Sequence, residues 1–181
     1  NPLQHRLYML KYYCDGQENF GKGFRFMQEP NGNARLSGSM ASLCGLEKAI
    51  ELNDEYQINL AIKKINLQHA IILSLGGIPM IYSGDEIGQL NDYAYRDDPD
   101  KAPDSRYVHR GAMNWEEAAK SSDQATIPGQ ISSKLNQLEK LRKSEKAFMS
   151  NADTWTVETW DKSILCIGRY YDGDKIYGLF N

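Results

Sequence analysis

A sequence pattern typical of a helix followed directly by a buried strand, between residues 54 and 83, is the feature that most constrains the expected fold. Apolar residues recur at intervals of three and four over 54–74, which predicts an amphipathic helix. Gly76 and Gly77 end this helix, and the apolar run IPMIY that follows predicts a short buried strand over 77–83. Because a helix, a tight turn and a buried strand make one unit of a parallel sheet with helices, the segment predicts an α/β fold.

Two long stretches of the chain lack such a period. Residues 1–47 contain a predicted short helix over 3–13 and then many glycines with aromatic residues between them, which indicates an excursion that forms a surface. Residues 89–129 are mostly polar, and connections of this length are usually functional or disordered. Several tyrosines and Trp115 within this stretch favour an ordered, functional loop.

The C-terminal part of the sequence changes from helical to β-rich periodicity. A second helix is predicted over 130–147, where several leucines and Ile131 lie on one face. The runs TWTVETW, SILCIGRYY and KIYGLF then predict three consecutive antiparallel strands joined by hairpins, with Asp172-Gly173 as the stronger turn sequence. This change of periodicity implies a domain boundary near residues 148–153.

Composition excludes two classes of partner. The 181 residues carry a net charge of −3 and no basic run longer than two residues, so a nucleic-acid partner is not expected. No stretch of about 18 apolar residues is present, so no membrane span is expected. The three cysteines lack a CxxC spacing, which predicts reduced thiols and a cytoplasmic protein, with secretion as the open alternative.

No metal site and no cofactor are expected from the motifs of this chain. The three histidines are scattered, and His69 lies on the apolar stripe of the predicted helix, where a packed core residue is the better interpretation. Phosphate-binding loops and the GxGxxG, HExxH and GxSxG patterns are absent from the sequence. The usual nucleotide, zinc-protease and serine-hydrolase chemistries therefore have no candidate residues here.

Two adjacent acids, Asp85 and Glu86, follow the predicted strand. At the carboxyl end of a buried parallel strand, they would lie at the rim where active sites of such folds are built. The alternative is that they cap a turn or pair with nearby arginines, and their spacing does not separate the two interpretations. Neighbouring residues on an extended chain point to opposite sides, so we do not expect the pair to act as a facing acid and base.

A second candidate site contains Arg106 and Arg110, which are four residues apart and have Tyr107 and His109 between them. An arginine fork can hold a carboxylate in fixed geometry, and aromatic rings can stack on sugars. A surface arginine that covers a helix end is the alternative for both residues. The same two interpretations apply to Arg35 in the segment NGNARLSG.

The segment LSLGGIPMIYSGDEIGQLND resembles the eighth barrel strand and the following loop of the α-amylase superfamily of glycoside hydrolases. The segments DSRYVHR, QHRLYMLKYY, GKGFRF and NARLSG are similar to the amylosucrase branch, which moves glucose from sucrose onto an α-glucan. The resemblance runs over nearly the whole chain. It implies the final part of a (β/α)8 TIM barrel, with its last helices and eighth strand, followed by the first strands of an all-β C-terminal domain.

The same resemblance implies three regions. Residues 1–47 would be the tail of a loop-rich domain inserted after barrel strand seven, residues 48–150 the C-terminal part of the catalytic barrel, and residues 151–181 the start of an antiparallel β domain. No nucleophile, acid/base or third carboxylate is expected on this chain, because the superfamily carries them after earlier barrel strands. Asp85 and Glu86 would then lie at the pocket rim, behind the residues that touch the sugar.

Four residues are expected to bind sugar because they match positions in the resembling proteins. Arg106 matches the arginine that pairs with an aspartate to close the bottom of the glucose pocket, and Arg35 matches an arginine on the acceptor side. Phe26 lies in a looser match near Arg35. Arg110 is the alternative to Arg106, because some relatives carry Arg-Thr-Pro-Met-Gln-Trp where this chain has RGAMNW.

The activity implied by the resemblance is a retaining glucosyl transfer from sucrose to an α-glucan or oligosaccharide. A sucrose hydrolase and an α-glucosidase or trehalose synthase are alternatives on the same fold, and a non-catalytic carbohydrate-binding barrel is an alternative of another class. The chain starts at Asn1-Pro2 and stops inside a predicted strand, so we expect a piece of a longer protein. Such a piece would associate with the remainder of that protein or with a second copy of itself.

Overall fold

The computed structural model describes residues 1–14 and 20–181. Its helices are α1 (Pro2–Cys14), α2 (Met40–Leu43), α3 (Leu46–Glu51), α4 (Glu55–Ser74), α5 (Trp115–Ala118) and α6 (Ile127–Ser144). Its strands are β1 (Phe24–Phe26), β2 (Arg35–Ser37), β3 (Asp153–Val157), β4 (Leu165–Tyr171) and β5 (Asp174–Phe180). Short 3₁₀ helices lie at Asp85–Ile87, Ala94–Asp97, Ser105–His109 and Lys146–Phe148. None of the described helices combines the length and the apolar character that crossing a membrane requires.

The helix predicted over 54–74 is confirmed as α4, which forms the centre of the helical part. Asp54 caps its first turn, because Asp54 Oδ1 accepts a hydrogen bond from the Gln57 N–H at 3.0 Å. One face of α4 packs against α3 and α6 around a buried apolar cluster, which includes Leu46, Ile62, Ile65 and Ile131. His69 is fully buried in the same helix, as predicted for a core histidine.

The helix predicted over 130–147 is confirmed as α6, but it begins earlier, at Ile127, and ends earlier, at Ser144. Thr126 caps this helix, because its Oγ1 accepts a hydrogen bond from the Gly129 N–H at 3.1 Å. Pro128 lies in the first turn, where a missing backbone N–H costs nothing. These two start residues lie before the apolar periodicity becomes regular, which explains the earlier beginning.

The three strands predicted near the C-terminus are confirmed as an antiparallel sheet with the order β3-β4-β5. Between β4 and β5, Asp172 and Gly173 adopt positive φ angles of 48° and 91°, as expected for an Asp-Gly hairpin turn. Arg169 on β4 is buried, and its guanidinium donates to the carbonyl oxygens of Ala147 and Met149 at 3.0 and 2.8 Å. These bonds attach the sheet to the end of the helical part.

The glycine-rich first part contains more regular structure than the sequence predicts. The helix predicted over 3–13 is confirmed as α1, and β1 and β2 form an antiparallel hairpin followed by the short helices α2 and α3. Gly23 allows α1 and the hairpin to approach closely, because its N–H donates to the Tyr13 carbonyl at 2.8 Å. A Cβ atom at this position would lie only 2.8 Å from the same carbonyl oxygen, so the contact requires glycine.

The prediction of a buried strand over 77–83 is wrong for the described structure. These residues form no β ladder, and the side chains of Ile78 and Met80 are 88% and 83% exposed. A parallel strand is stable when neighbouring strands and covering helices surround it, and no strand among the described residues pairs with this segment. Asp85 and Glu86 accordingly start a 3₁₀ helix instead of ending a strand.

A buried carboxylate joins the segments around α2 and α3. Glu47 on α3 is only 5% exposed, and its oxygens accept hydrogen bonds from Ser42 Oγ at 2.5 Å and from the Tyr93 hydroxyl at 2.7 Å. Lys22 Nζ lies 3.1 Å from the same carboxylate. Ser42 Oγ in turn accepts the Asn91 N–H at 2.9 Å. We call these five residues the Glu47 network.

We expect Glu47→Ala to lower the free energy of unfolding by about 3 kcal/mol, because an ammonium and two hydroxyl groups lose their buried partner. Glu51→Ala is the matched control, since Glu51 also pairs with Lys22 but its side chain is 54% exposed. Its loss should change stability by less than about 1 kcal/mol. Urea denaturation followed by circular dichroism measures both variants, and equal losses would contradict a central role for the Glu47 network.

Candidate functional site

A cavity of about 510 Å³ lies between the start of α2 and the segments 82–90 and 108–111. We call it the Asp85 cavity. Its polar and aromatic lining includes Ser39, Gln68, Tyr82, Asp85, Gln89 and His109. No lysine or arginine of the described residues lines it. Over the described ranges, 1–14 and 20–181, no three His, Cys, Asp or Glu side chains converge as metal ligands. The cavity thus offers hydrogen bonds and an aromatic face without a fixed positive charge.

Two consecutive backbone N–H groups just before α2 hold side chains beside this cavity. Gly38 donates to His109 Nδ1 at 3.3 Å, and Ser39 donates to Asn91 Oδ1 at 2.8 Å. Both acceptors come from the loops that follow α4. Backbone N–H groups near the start of a helix lack partners within that helix, so they are available to other segments. The start of α2 therefore determines where the cavity-lining loops lie.

Asp85 supplies the carboxyl group of the cavity. The pKa of Asp85 is raised to about 6, mainly by burial and also by the neighbouring Glu86, while the Met40 backbone N–H opposes both effects. Gly84, just before Asp85, has a φ of 97°, and a Cβ there would lie 2.9 Å from Gln89 Cβ. The turn that carries Asp85 therefore requires glycine. Burial is also the main reason why the pKa of the adjacent Cys44 thiol rises to about 12.

Glu86 has a different role from Asp85. Its Oε2 accepts the Gly84 N–H at 2.7 Å, and its backbone carbonyl accepts a hydrogen bond from Ser132 Oγ at 2.7 Å. These contacts close the 3₁₀ turn and tie it to α6, which corresponds to the turn-cap interpretation of the sequence. The two neighbouring acids therefore have different roles: Asp85 lines the cavity, and Glu86 holds the turn in place.

Three of the four residues expected to bind sugar lie together outside the cavity. Phe26 and Arg35 are partners across the β1-β2 hairpin, and the Arg106 guanidinium lies 4.4 Å from the Phe26 ring centroid. Arg106 also forms a bidentate pair with Asp104, with Nε–Oδ1 and Nη2–Oδ2 distances of 2.8 and 2.6 Å. This pair lowers the pKa of Asp104 to about 2. We call Phe26, Arg35 and Arg106 the arginine surface.

The arginine surface borders the Asp85 cavity through the 3₁₀ helix Ser105–His109. Side chains three residues apart lie on the same side of a 3₁₀ helix, so Arg106 and His109 are neighbours. Arg110 is exposed, and its guanidinium lies 5.3 Å from the Tyr107 ring centroid. Neither arginine side chain lines the cavity, whereas His109 does.

His109 is a cavity residue that the sequence singles out only as a neighbour of the arginines. Its ring packs edge to face against Tyr82, with the ring centroids 5.9 Å apart and an interplanar angle of 76°. Burial lowers the pKa of His109, and two nearby arginines lower it further. Its partner Gly38 is 71 residues away in the chain, so no local pattern could have placed His109 in the cavity. The lining residues Gln68 and Gln89 likewise stand in no local sequence pattern that would predict their place in the cavity.

Comparison with known proteins connects the chain to a carbohydrate-active enzyme. It is 33% identical over 117 residues to glucosylglycerate phosphorylase from Escherichia coli (strain K12), in an alignment that covers 64% of this chain and 20% of the relative. The chain therefore spans about a fifth of the length of this curated relative. No family model matches the chain. The similarity does not single out a sucrose-acting branch, so the more specific resemblance to amylosucrase stays a prediction.

We expect the Asp85 carboxyl group to titrate near pH 6, because burial favours its neutral form. Asp104 is the internal control and should titrate near pH 2, since its bond to Arg106 stabilises the charged form. The ¹³C chemical shifts of the side-chain carboxyl carbons report both values, and Asp85→Asn assigns the signal. A midpoint for Asp85 near the ordinary value of about 3.9 would contradict the buried position.

Proposed function

We propose that this chain forms one wall of the sugar-binding site of an enzyme that transfers glucosyl groups with retention of configuration. The observation that carries the proposal is the 33% identity over 117 residues to an enzyme named as a phosphorylase of a glucosyl compound. The resemblance of GGIPMIYSGDEIG and DSRYVHR to the α-amylase superfamily also supports it. The hydroxyl, amide and aromatic groups of the Asp85 cavity suit a ligand that carries many hydroxyl groups.

In this proposal the helical part is the end of a (β/α)8 barrel, and β3, β4 and β5 open the domain that follows it. The exposed apolar side chains over 78–82 fit a barrel strand whose neighbours belong to another part of the protein. The chain would associate with that part or with a second copy of itself. Its three free thiols, of which Cys44 and Cys166 are buried, fit a reducing cytoplasmic location.

The bond-breaking carboxylates of such an enzyme would come from other barrel strands. An aspartate would attack the glucosyl carbon while a glutamic acid protonates the departing oxygen, and the glucosyl-enzyme would then pass glucose to an acceptor. Asp85 would contribute a carboxyl group to the rim of the pocket. Glu86 would hold the turn that carries Asp85, through its bond to the Gly84 N–H.

The arginine surface would form the two ends of the sugar pocket. Arg106 would close one end, so that the enzyme acts on a chain terminus, and Arg35 with Phe26 would face the acceptor. Because Asp104 already occupies the guanidinium fork of Arg106, an aspartate from another part of the protein would share this arginine. Arg110, which lies outside the cavity, is the alternative residue for the closed end.

Sucrose is the proposed donor, and an α-glucan or oligosaccharide is the proposed acceptor. Phosphorolysis is a second candidate, because the similar Escherichia coli protein is named a phosphorylase. A sucrose hydrolase and an α-glucosidase or trehalose synthase would use the same first step with a different acceptor or donor. A non-catalytic carbohydrate-binding protein is the alternative of a different class.

The full-length protein that contains this chain should convert sucrose into fructose and an α-glucan. Chromatography of the products separates the candidates: glucan indicates transfer, free glucose equal to fructose indicates hydrolysis, and glucose 1-phosphate formed only with added phosphate indicates phosphorolysis. The 181-residue chain alone is the control and should be inactive, because it lacks the proposed carboxylates. Failure of the full-length protein to turn over sucrose or any other α-glucoside would contradict an enzymatic role.

Arg106→Ala in the full-length protein should lower kcat/KM for sucrose by about tenfold or more, because a charged contact at the closed end of the pocket is lost. Arg110→Ala is the matched control, since it removes a neighbouring arginine whose guanidinium lies over the Tyr107 ring. Its effect on kcat/KM should stay within about twofold. Normal kinetics for Arg106→Ala, or a larger effect of Arg110→Ala, would contradict the assignment of Arg106.

A further inference from the structure

We propose that His109 is a specificity-determining residue, which presents a neutral Nε2–H group to the Asp85 cavity as the hydrogen-bond donor for a hydroxyl of an uncharged sugar. This inference rests on the proposed function, because it names the ligand class of the same cavity. It also excludes phosphate from that cavity. Four observations carry it: the partner of Nδ1, the orientation of the ring, the charge of the imidazole and the charge of the cavity wall.

The hydrogen bond at Nδ1 determines which ring nitrogen carries the proton. His109 Nδ1 accepts the Gly38 N–H at 3.3 Å, and a nitrogen that accepts such a bond has a free lone pair and no hydrogen. In a neutral imidazole the single proton must then lie on Nε2. Among the described residues, no side chain or carbonyl accepts a hydrogen bond from Nε2. Because the ring lines the cavity, Nε2–H is the group left for a ligand.

The ring of His109 is held in one orientation from two sides. Tyr82 packs edge to face against it, at a centroid distance of 5.9 Å. The Gly38 backbone that binds Nδ1 is itself fixed, because the next N–H, that of Ser39, donates to Asn91 Oδ1 at 2.8 Å. A donor whose direction is fixed before the ligand arrives loses little conformational entropy on binding.

The surroundings of His109 keep the imidazole neutral. Burial lowers the pKa of His109, and the positive charges of Arg110 and Arg106 lower it further, while the Asp104 carboxylate opposes them. The imidazole therefore carries no charge near neutral pH. Protonation at Nδ1 would also replace the acceptor of the Gly38 N–H with a second donor, which would break that bond.

The wall of the cavity selects an uncharged ligand. The lining contains the Asp85 carboxyl group, and no described lysine or arginine lines the cavity to balance a bound anion. The arginines nearest in sequence are engaged elsewhere, Arg106 with Asp104 and Arg110 with the Tyr107 ring. A phosphate placed here would meet a carboxyl group without a compensating cation, which is unfavourable in a partly buried site. The hydroxyl groups of a sugar meet no such penalty.

Nuclear magnetic resonance of ¹⁵N-histidine in the full-length protein that contains this chain tests the tautomer directly. At about pH 7.5 the His109 signals should show a proton on Nε2 and none on Nδ1, and His109→Asn identifies them. Titration with methyl α-glucoside should shift the Nε2 signal, whereas inorganic phosphate at equal ionic strength should not. A proton on Nδ1, a charged ring, no response to the sugar or a shift with phosphate would each overturn the proposal.

Two substitutions separate the donor from the structural role of His109. Asparagine can place its Oδ1 near the position of Nδ1 and still accept the Gly38 N–H, but it has no group at Nε2. Glutamine can place an amide N–H near Nε2 and keep the donor. We expect His109→Asn to weaken methyl α-glucoside binding about tenfold with an unchanged melting temperature, and His109→Gln to weaken it about threefold or less. Equal losses in both variants would indicate a structural role only and would overturn the proposal.

The failure of this inference differs from the failure of the proposed function. Sugar binding that depends on His109, in a full-length protein without sucrose turnover, would contradict the proposed function and leave the inference intact. If the full-length His109→Asn variant turns over sucrose with the same KM as the unaltered protein, the inference about His109 is contradicted and the proposed function is left intact. If the proposed role is correct, the substitution raises KM much more than it lowers kcat, because the hydrogen bond forms with the bound sugar before the reaction.

Discussion

The buried carboxylate of Glu47 is the interaction on which the rest of the structure depends. A charge inside a protein is tolerated only when donors surround it, and Glu47 has two hydroxyl donors and an ammonium group. These donors come from α2, from the segment before β1 and from the loop after α4. Movement of any one of them would leave a buried charge partly unpaired, so the network restricts three distant segments to one arrangement.

This arrangement extends directly to the cavity. Ser42 belongs to the Glu47 network and lies in α2, and just before α2 the Gly38 N–H binds the cavity residue His109 and the Ser39 N–H binds Asn91. The segment that contains α2 therefore takes part both in the Glu47 network and in the contacts that position the cavity residues. The backbone just before α2 therefore helps to position His109, through the Gly38 N–H.

Contacts of Arg142 hold the start of the apolar segment that follows α4, and they do not extend to the exposed residues beyond it. The Arg142 guanidinium donates to the carbonyl oxygen of Leu73 in the last turn of α4, which lacks an intrahelical partner, and to those of Leu75 and Gly77 just beyond the helix. Residues 78–82, which follow these contacts, belong to no helix or strand. Within this segment the side chains of Ile78 and Met80 are largely exposed, whereas Tyr82 packs against His109. This exposure is the physical reason to propose that strands from elsewhere complete the sheet.

The sequence by itself determined the elements whose hydrogen bonds are local, namely α1, α4, α6 and the hairpins of β3, β4 and β5, because periodicity and turn residues encode them. It also marked the acids and arginines as candidates. Only the tertiary structure decided that 77–83 has no partner strand among the described residues, that Asp85 and Glu86 have different roles, and that His109 lines the cavity where Arg106 does not. The reason is that strand pairing and cavity lining depend on contacts between distant residues, such as Gly38 and His109, 71 residues apart, which no local pattern records.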